Sequence, residues 1–140
     1  MENNIDKKIN RWLYVSQPAQ NVDFNSIQRI LTISHRKNIE RNISGALIYD
    51  HKHFIQYLEG DEAMIDTLRE KIQSNPNHHE IHTIAFGEIP QRHFKNWTMS
   101  YISYAMYNQV IPNLCPEGFH PYETDEKKIL EIIKAIQTVA

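Results

Sequence analysis

The chain has 140 residues, 41% hydrophobic and 23% charged, with a formal net charge of −2. That suits one domain with a real core and gives no positive field for nucleic acid or an anionic membrane. Cys115 is the single cysteine, which excludes an intrachain disulfide and any CxxC motif. No apolar run approaches a membrane span, and the opening MENNIDKKIN lacks the apolar core of a signal peptide, so a cytoplasmic protein is expected.

Residues 1–8 are polar, and structure is expected from Arg11. WLYVS then alternates, with Trp12, Tyr14 and Ser16 on one face and Leu13 and Val15 on the other. Strong β formers on both faces predict a central strand, ended by Pro18. Asp23 is a candidate N-cap for a helix to about Arg36. Its apolar stripe is Phe24, Ile27 and Leu31, continued by Ser34 and widened by Ile30 and Ile33. Asn38 falls on or just past the end of that stripe.

Ile43 to Gly60, ISGALIYDHKHFIQYLEG, reads as two strands joined by a polar turn at Asp50 to Lys52. In the second strand Phe54, Gln56 and Leu58 share one face. An amide in that position costs about 1–3 kcal/mol if nothing answers it. Asp61 is placed to cap a second helix that turns Met64, Ile65, Leu68 and Ile72 inward and stops at Asn75-Pro76-Asn77. Ile81 to Ile89 reads as a strand, Pro90 to Lys95 as a polar loop, and Trp97 to Tyr104 as another strand, with Trp97 and Met99 on one face. Ala105 onward reads as an irregular connection through Pro112, Pro116, Gly118 and Pro121. Thr124, Asp125 and Glu126 then open a final helix with a stripe of Ile129, Ile132, Ile133 and Ile136.

The order β-α-β-β-α-β-β predicts an α+β, ferredoxin-like sheet with both early helices on one face. The C-terminal helix is expected on the other face. The first and third strands are expected to be central neighbours, running parallel, with Tyr14 beside Gln56.

Few residues suit catalysis. There is no glycine-rich phosphate loop and no GxSxG. Glu59, ending a strand before Gly60, is more simply a structural acceptor than a base. His78, His79 and His82, and His51 with His53, have the residue type for a transition metal. Lying in polar turn regions without Cys or Asp in a ligand pattern, they read better as solvated histidines. Tyr14, Asn38 and Gln56 form a different set: a phenol and two amides converging between the first helix and the sheet. Such groups complement a flat heteroaromatic and are neither strong acids nor strong bases. A satisfied polar network in the core is the competing reading.

From about Arg11 to Tyr104 the chain resembles the BLUF family of blue-light sensors that use flavin adenine dinucleotide. The resemblance rests on LYVS around Tyr14, SHRKNIERNISGALIY, FIQYLEG around Gln56 and RHFKNWTMS near Trp97. It implies a flavin held between the two early helices over the sheet, as FAD or as the shorter FMN or riboflavin. By position, Tyr14 is then the phenol that gives an electron to the photoexcited flavin. Gln56 bridges Tyr14 and the flavin, and its side chain rearranges in light by rotation, tautomerisation or both. The flavin spectrum shifts to the red and recovers in the dark. Asn38 holds the pyrimidine end, and Ile30, Ser34, Leu47, Lys71 and His78 complete the implied cofactor contacts. Trp97 and Met99 lie on the strand implied to relay the signal. The chain departs from the family at Lys37, where a second asparagine is common, and at Asn75 and Asn77, where an acid and an arginine are common.

The reading that follows is a short blue-light receptor, not an enzyme. Residues 1–104 are the photosensor core, and residues 105–140 are a connection and helix packed on it. With no output domain of its own, such a chain signals in trans to a protein partner or through self-association. The alternatives are a cofactor-less ferredoxin-like interaction module and a flavin- or metal-dependent enzyme.

Overall fold

A computed structural model describes residues 8–19, 23–76, 78–94, 100–102 and 104–139. Strand β1 (Ile9–Pro18) lies between β3 (Phe54–Asp61) and β4 (His78–Ile89). Strand β2 (Ser44–Tyr49) pairs with the far side of β3, and the short β5 (Ser100–Ile102) edges β2, so the order is β4-β1-β3-β2-β5. Trp12 to Ser16 are all buried, as a strand rich in β formers on both faces requires. Helices α1 (Phe24–Glu40) and α2 (Glu62–Gln73) cover one face, with Trp12, Tyr14, Leu47, Phe54 and Leu58 beneath them. Helices α3 (Tyr104–Leu114) and α4 (Glu126–Val139) cover the other, over Leu13, Val15, Ala46, Ile48, Ile55 and Tyr57. The ferredoxin-like α+β fold and the opposite placement of the last helix are as expected.

The direction of the central pair is not. Strands β1 and β3 run antiparallel, with Tyr14 opposite Gln56. A crossover through α1 makes β1 and β2 parallel, and the tight β2–β3 hairpin then reverses the chain. The strand between β1 and β2 must therefore oppose both. Tyr14 and Gln56 still meet, because direct opposition across a ladder does not depend on strand direction.

The connection after β5 is also more regular than its prolines suggest. Tyr104–Leu114 is helical with Pro112 inside it, and Tyr107 and Val110 are buried against α4. Pro112 costs one hydrogen bond of the helix, and packing against α4 offsets it. Of the expected strand at Trp97 to Tyr104, Ser100–Ile102 is strand, paired parallel with β2, and Tyr104 already belongs to α3. Trp97 and Met99 lie outside the described residues.

Helix ends follow local chemistry. Asp23 accepts from the Ser26 N–H at 2.8 Å and starts α1, which runs to Glu40 and so includes Asn38 in its last turn. Asp61 sits at the N-cap of α2 without a side-chain hydrogen bond, since it is also the last residue of β3. Asp125, rather than Thr124, caps α4 by accepting from the Lys128 N–H at 2.9 Å. Ile129, Ile132, Ile133 and Ile136 are each 1% exposed or less, worth about 1.5–3 kcal/mol apiece. Between β2 and β3, Asp50 accepts from the Lys52 and His53 N–H groups. Gly45 (φ +139°) admits no side chain: a Cβ there would lie 1.9 Å from the Tyr57 carbonyl oxygen.

Candidate functional site

Cross-strand register sets Tyr14 opposite Gln56, and the Tyr14 hydroxyl donates to Gln56 Oε1 at 2.5 Å. Both residues are buried, 1% and 4% exposed. Burial pushes the Tyr14 pKa well above its ordinary value, because the phenolate would have to exist without water. Tyr14 is therefore a neutral hydrogen-bond donor at any physiological pH. Its ring stacks on Trp12, with centroids 4.2 Å apart and planes 25° apart. Trp12 is itself tied to β4 by Nε1 donating to Thr83 Oγ1 at 2.9 Å. The β1–β4 register shifts between Leu13 and Tyr14, so Thr83 lies opposite Tyr14.

A cavity of about 240 Å³ opens beside this pair, between the C-terminal halves of α1 and α2 and the sheet. Its floor is Tyr14, Leu47, Phe54 and Gln56; its α1 wall includes Ile30, Ser34 and Asn38; and its α2 wall includes Leu68, Lys71 and Ile72. Of the cofactor residues expected from sequence, Tyr14, Ile30, Ser34, Asn38, Leu47, Gln56 and Lys71 are thus brought together. His78 begins β4 opposite Pro18, and its side chain lies outside what is described. Leu31, Ile33, Arg41, Phe54, Leu68 and Ile72 also line the cavity and were not anticipated there. For Phe54 the signal was present, two residues before Gln56 on the same strand face.

The donor set fits a flavin. Among the described residues, the Gln56 amide nitrogen and the Asn38 side-chain amide make no hydrogen bond, yet both residues are at least 96% buried and both border the cavity. Their free amide atoms are reachable from the cavity, whereas the fully buried side-chain polar atoms without a partner among the described residues are Tyr57 Oη and Arg69 Nε. A flat ring with carbonyl and ring-nitrogen groups on its edge would satisfy the two amides, and the apolar side chains would meet its faces.

Glu59 is a structural acceptor. Its buried carboxylate takes hydrogen bonds from Ser44 Oγ and the His93 and Phe94 N–H groups, all at 2.7 Å. Arg92 adds bonds to Ser44 Oγ and the Asn42 carbonyl, so the loop after β4 is bound to the hairpin. Of the histidines, His79 and His82 lie on β4 rather than in a turn, because β4 begins at His78. His79 Nε2 is 3.0 Å from the Pro18 carbonyl, and His53 pairs with Asp50 at 3.3 Å. Among the described residues no group of three His, Cys, Asp or Glu could hold a metal, and no helix is long and apolar enough to cross a membrane.

The same fold recurs in known proteins. BlrB, a BLUF protein solved in its dark state, superposes with a TM-score of 0.73 over 95% of this chain and 97% of its own, at 22% identity. The chain is 30% identical over 99 residues, 68% of its length, to the beta subunit of photoactivated adenylate cyclase of Euglena longa. It is 27% identical over 82 residues, 59% of its length, to the blue light- and temperature-regulated antirepressor BluF of Escherichia coli. These matches span only 11% and 20% of those two relatives. Residues 9–100 match the family described as sensors of blue-light using FAD, and the chain belongs to that BLUF family.

Proposed function

We propose that Tyr14 and Gln56 are the light switch of a flavin photoreceptor, and that FAD occupies the cavity between α1, α2 and the sheet. The observation that carries this reading is the Tyr14–Gln56 hydrogen bond at the edge of an amide-lined cavity. Asn38 and Gln56 would hold the polar edges of the ring, and Ile30, Leu47 and Leu68 its faces, with Ser34, Lys71 and His78 completing the contacts. Once bound, the flavin supplies absorption of blue light and an excited state that accepts an electron. Tyr14 would be the donor of that electron. Its proton has Gln56 Oε1 as hydrogen-bonded acceptor, and stacking on Trp12 keeps the phenol in place for its return.

The Gln56 amide can face Tyr14 with its oxygen or, turned or tautomerised, with its other end. Two hydrogen-bonded arrangements of one buried side chain form a bistable element. Its neighbours in β3, Ile55 and Tyr57, face the opposite way and pack among the residues of α3 and α4. A shift of β3 at Gln56 therefore reaches residues 105–140, which we assign as the relay from the photosensor core. Trp97 and Met99 are assigned to the same relay. A protein partner in trans or a second copy of the chain receives the signal; the description of the E. coli relative as an antirepressor supports the first.

The test is the visible absorption of the purified protein before and after blue light, then in darkness. A flavin spectrum that shifts to the red and returns is the expected result. A flavin that bleaches, or a protein that binds none, would sink the reading. Unequal hydrogen-exchange protection of residues 105–140 in dark and light is expected of the relay, and equal protection would remove it.

A further inference from the structure

We infer that Tyr57 carries the Gln56 switch to α4, its hydroxyl donating to the Glu126 carboxylate once β3 moves in light. This rests on the photoreceptor reading above and names the residue through which the signal leaves the sheet. Tyr57 follows Gln56 in β3, so the two share a peptide unit while their side chains point to opposite faces. Tyr57 is wholly buried. Phe94 and His93 stand T-shaped to its ring, with centroids 5.4 and 6.0 Å away. Its hydroxyl has no hydrogen-bond partner among the described residues. A ring that only had to fill this core could be a phenylalanine.

Three charges act on this phenol. Burial does most to raise the Tyr57 pKa, Glu59 and Glu126 add to it, and Arg11 opposes them. The hydroxyl therefore keeps its proton and acts as a donor. Of the two carboxylates, Glu59 is committed: Oε1 takes the His93 N–H, and Oε2 takes the Phe94 N–H and Ser44 Oγ. Glu126, the first residue of α4, is bonded through Arg11 Nε at 2.7 Å and Nη2 at 3.1 Å. A carboxylate has about four lone-pair sites, so Glu126 can take a further donor without releasing Arg11. Arg11 also brings that carboxylate towards Tyr57. Register sets Arg11 opposite Glu59 and Leu13 opposite Tyr57, which makes Arg11 the diagonal neighbour of Tyr57 on the same face. At its other end Arg11 donates to the Gly87 carbonyl at 3.0 Å. The acceptor is thus anchored to β1 and β4, while the donor sits on the strand that carries Gln56. A hydrogen bond made in only one of two states favours that state, so light draws the first turn of α4 to β3.

The experiment compares the flavin-loaded full chain as wild type, Tyr57→Phe and Glu126→Ala, in darkness and in light. It reads hydrogen exchange at residues 126–139 and the infrared C–O bands of isotope-labelled tyrosine. In the wild type, residues 126–139 should gain protection in light, and a tyrosine band that is absent from Tyr57→Phe should shift. Tyr57→Phe should keep the reversible red shift, which also establishes that it is folded, and lose the gain in protection. Its urea midpoint in darkness should be no lower than that of the wild type, since the hydroxyl it removes answers no partner. Glu126→Ala should keep the red shift while the Tyr57 band no longer moves. A lower midpoint for Tyr57→Phe would mean that the hydroxyl is already bonded in the dark, and would overturn the inference. So would a gain in protection that survives in Tyr57→Phe, or a Tyr57 band that still shifts in Glu126→Ala. A wild type that shifts to the red with no change at residues 126–139 would overturn the relay and leave the photoreceptor intact. A wild type with no red shift would overturn both.

Discussion

The two faces of the sheet are built from the same strands and do opposite things. Under α3 and α4 the packing is apolar but for the buried, unpartnered Tyr57 hydroxyl, with four isoleucines of α4 against Leu13, Val15, Ile55 and Tyr57. Under α1 and α2 the sheet presents Tyr14 and Gln56 to a cavity, and Asn38 adds an unpaired amide. The period of a strand is what allows this: Gln56 belongs to one face while its neighbours belong to the other. One face therefore holds the fold and the other the cavity, with β1 and β3 common to both. A movement at Gln56 has only the thickness of one strand to cross before it meets the C-terminal helices.

Alkali should strike both faces at once and have the largest effect. Burial raises the pKa of Tyr14, Tyr57 and Tyr107. Below pH 10 folded and unfolded chains both keep these protons, and the phenols add no pH dependence. Above pH 10 the unfolded chain releases protons that the folded chain retains, so stability falls as pH rises. Urea midpoints at pH 9 and 11 should differ accordingly; equal midpoints would mean the phenols are not protected.

Single substitutions then separate the faces. Ile132→Ala should cost about 2–5 kcal/mol in urea unfolding while the red shift keeps its amplitude at low temperature. Asn38→Ala should lower flavin retention with little loss of stability in the flavin-free protein. Reversal of these two results would end the division of labour. Glu59→Gln replaces an acceptor that serves three donors and should cost about 1–3 kcal/mol, by loosening the loop at His93 and Phe94. The smallest effect is expected from Asp125→Ala, about 1 kcal/mol for a lost N-cap, with the photochemistry unchanged.

Much of this was legible in the sequence because local patterns decided it. WLYVS, the alternation through Gln56 and the isoleucine stripe of α4 each name an element and its buried face. Strand direction was misjudged because it depends on how two connections compose, not on any residue. Helix α3 was hidden by Pro112, a breaker that the contact with α4 outweighs. The polar set of Tyr14, Asn38 and Gln56 could be seen, but the stacking of Tyr14 on Trp12 could not, since its 4.2 Å separation depends on side-chain placement along β1.

In the proposed switch, the Tyr14 hydroxyl, hydrogen-bonded to Gln56, drives the light response. Tyr14→Phe removes one oxygen atom and leaves the ring on Trp12. Light-minus-dark absorption of this variant beside the wild type is the most direct measurement. The variant should bind flavin with an ordinary spectrum and show no red shift, while the wild type shifts and recovers. A variant that shifts and recovers as the wild type does would contradict this role of the hydroxyl.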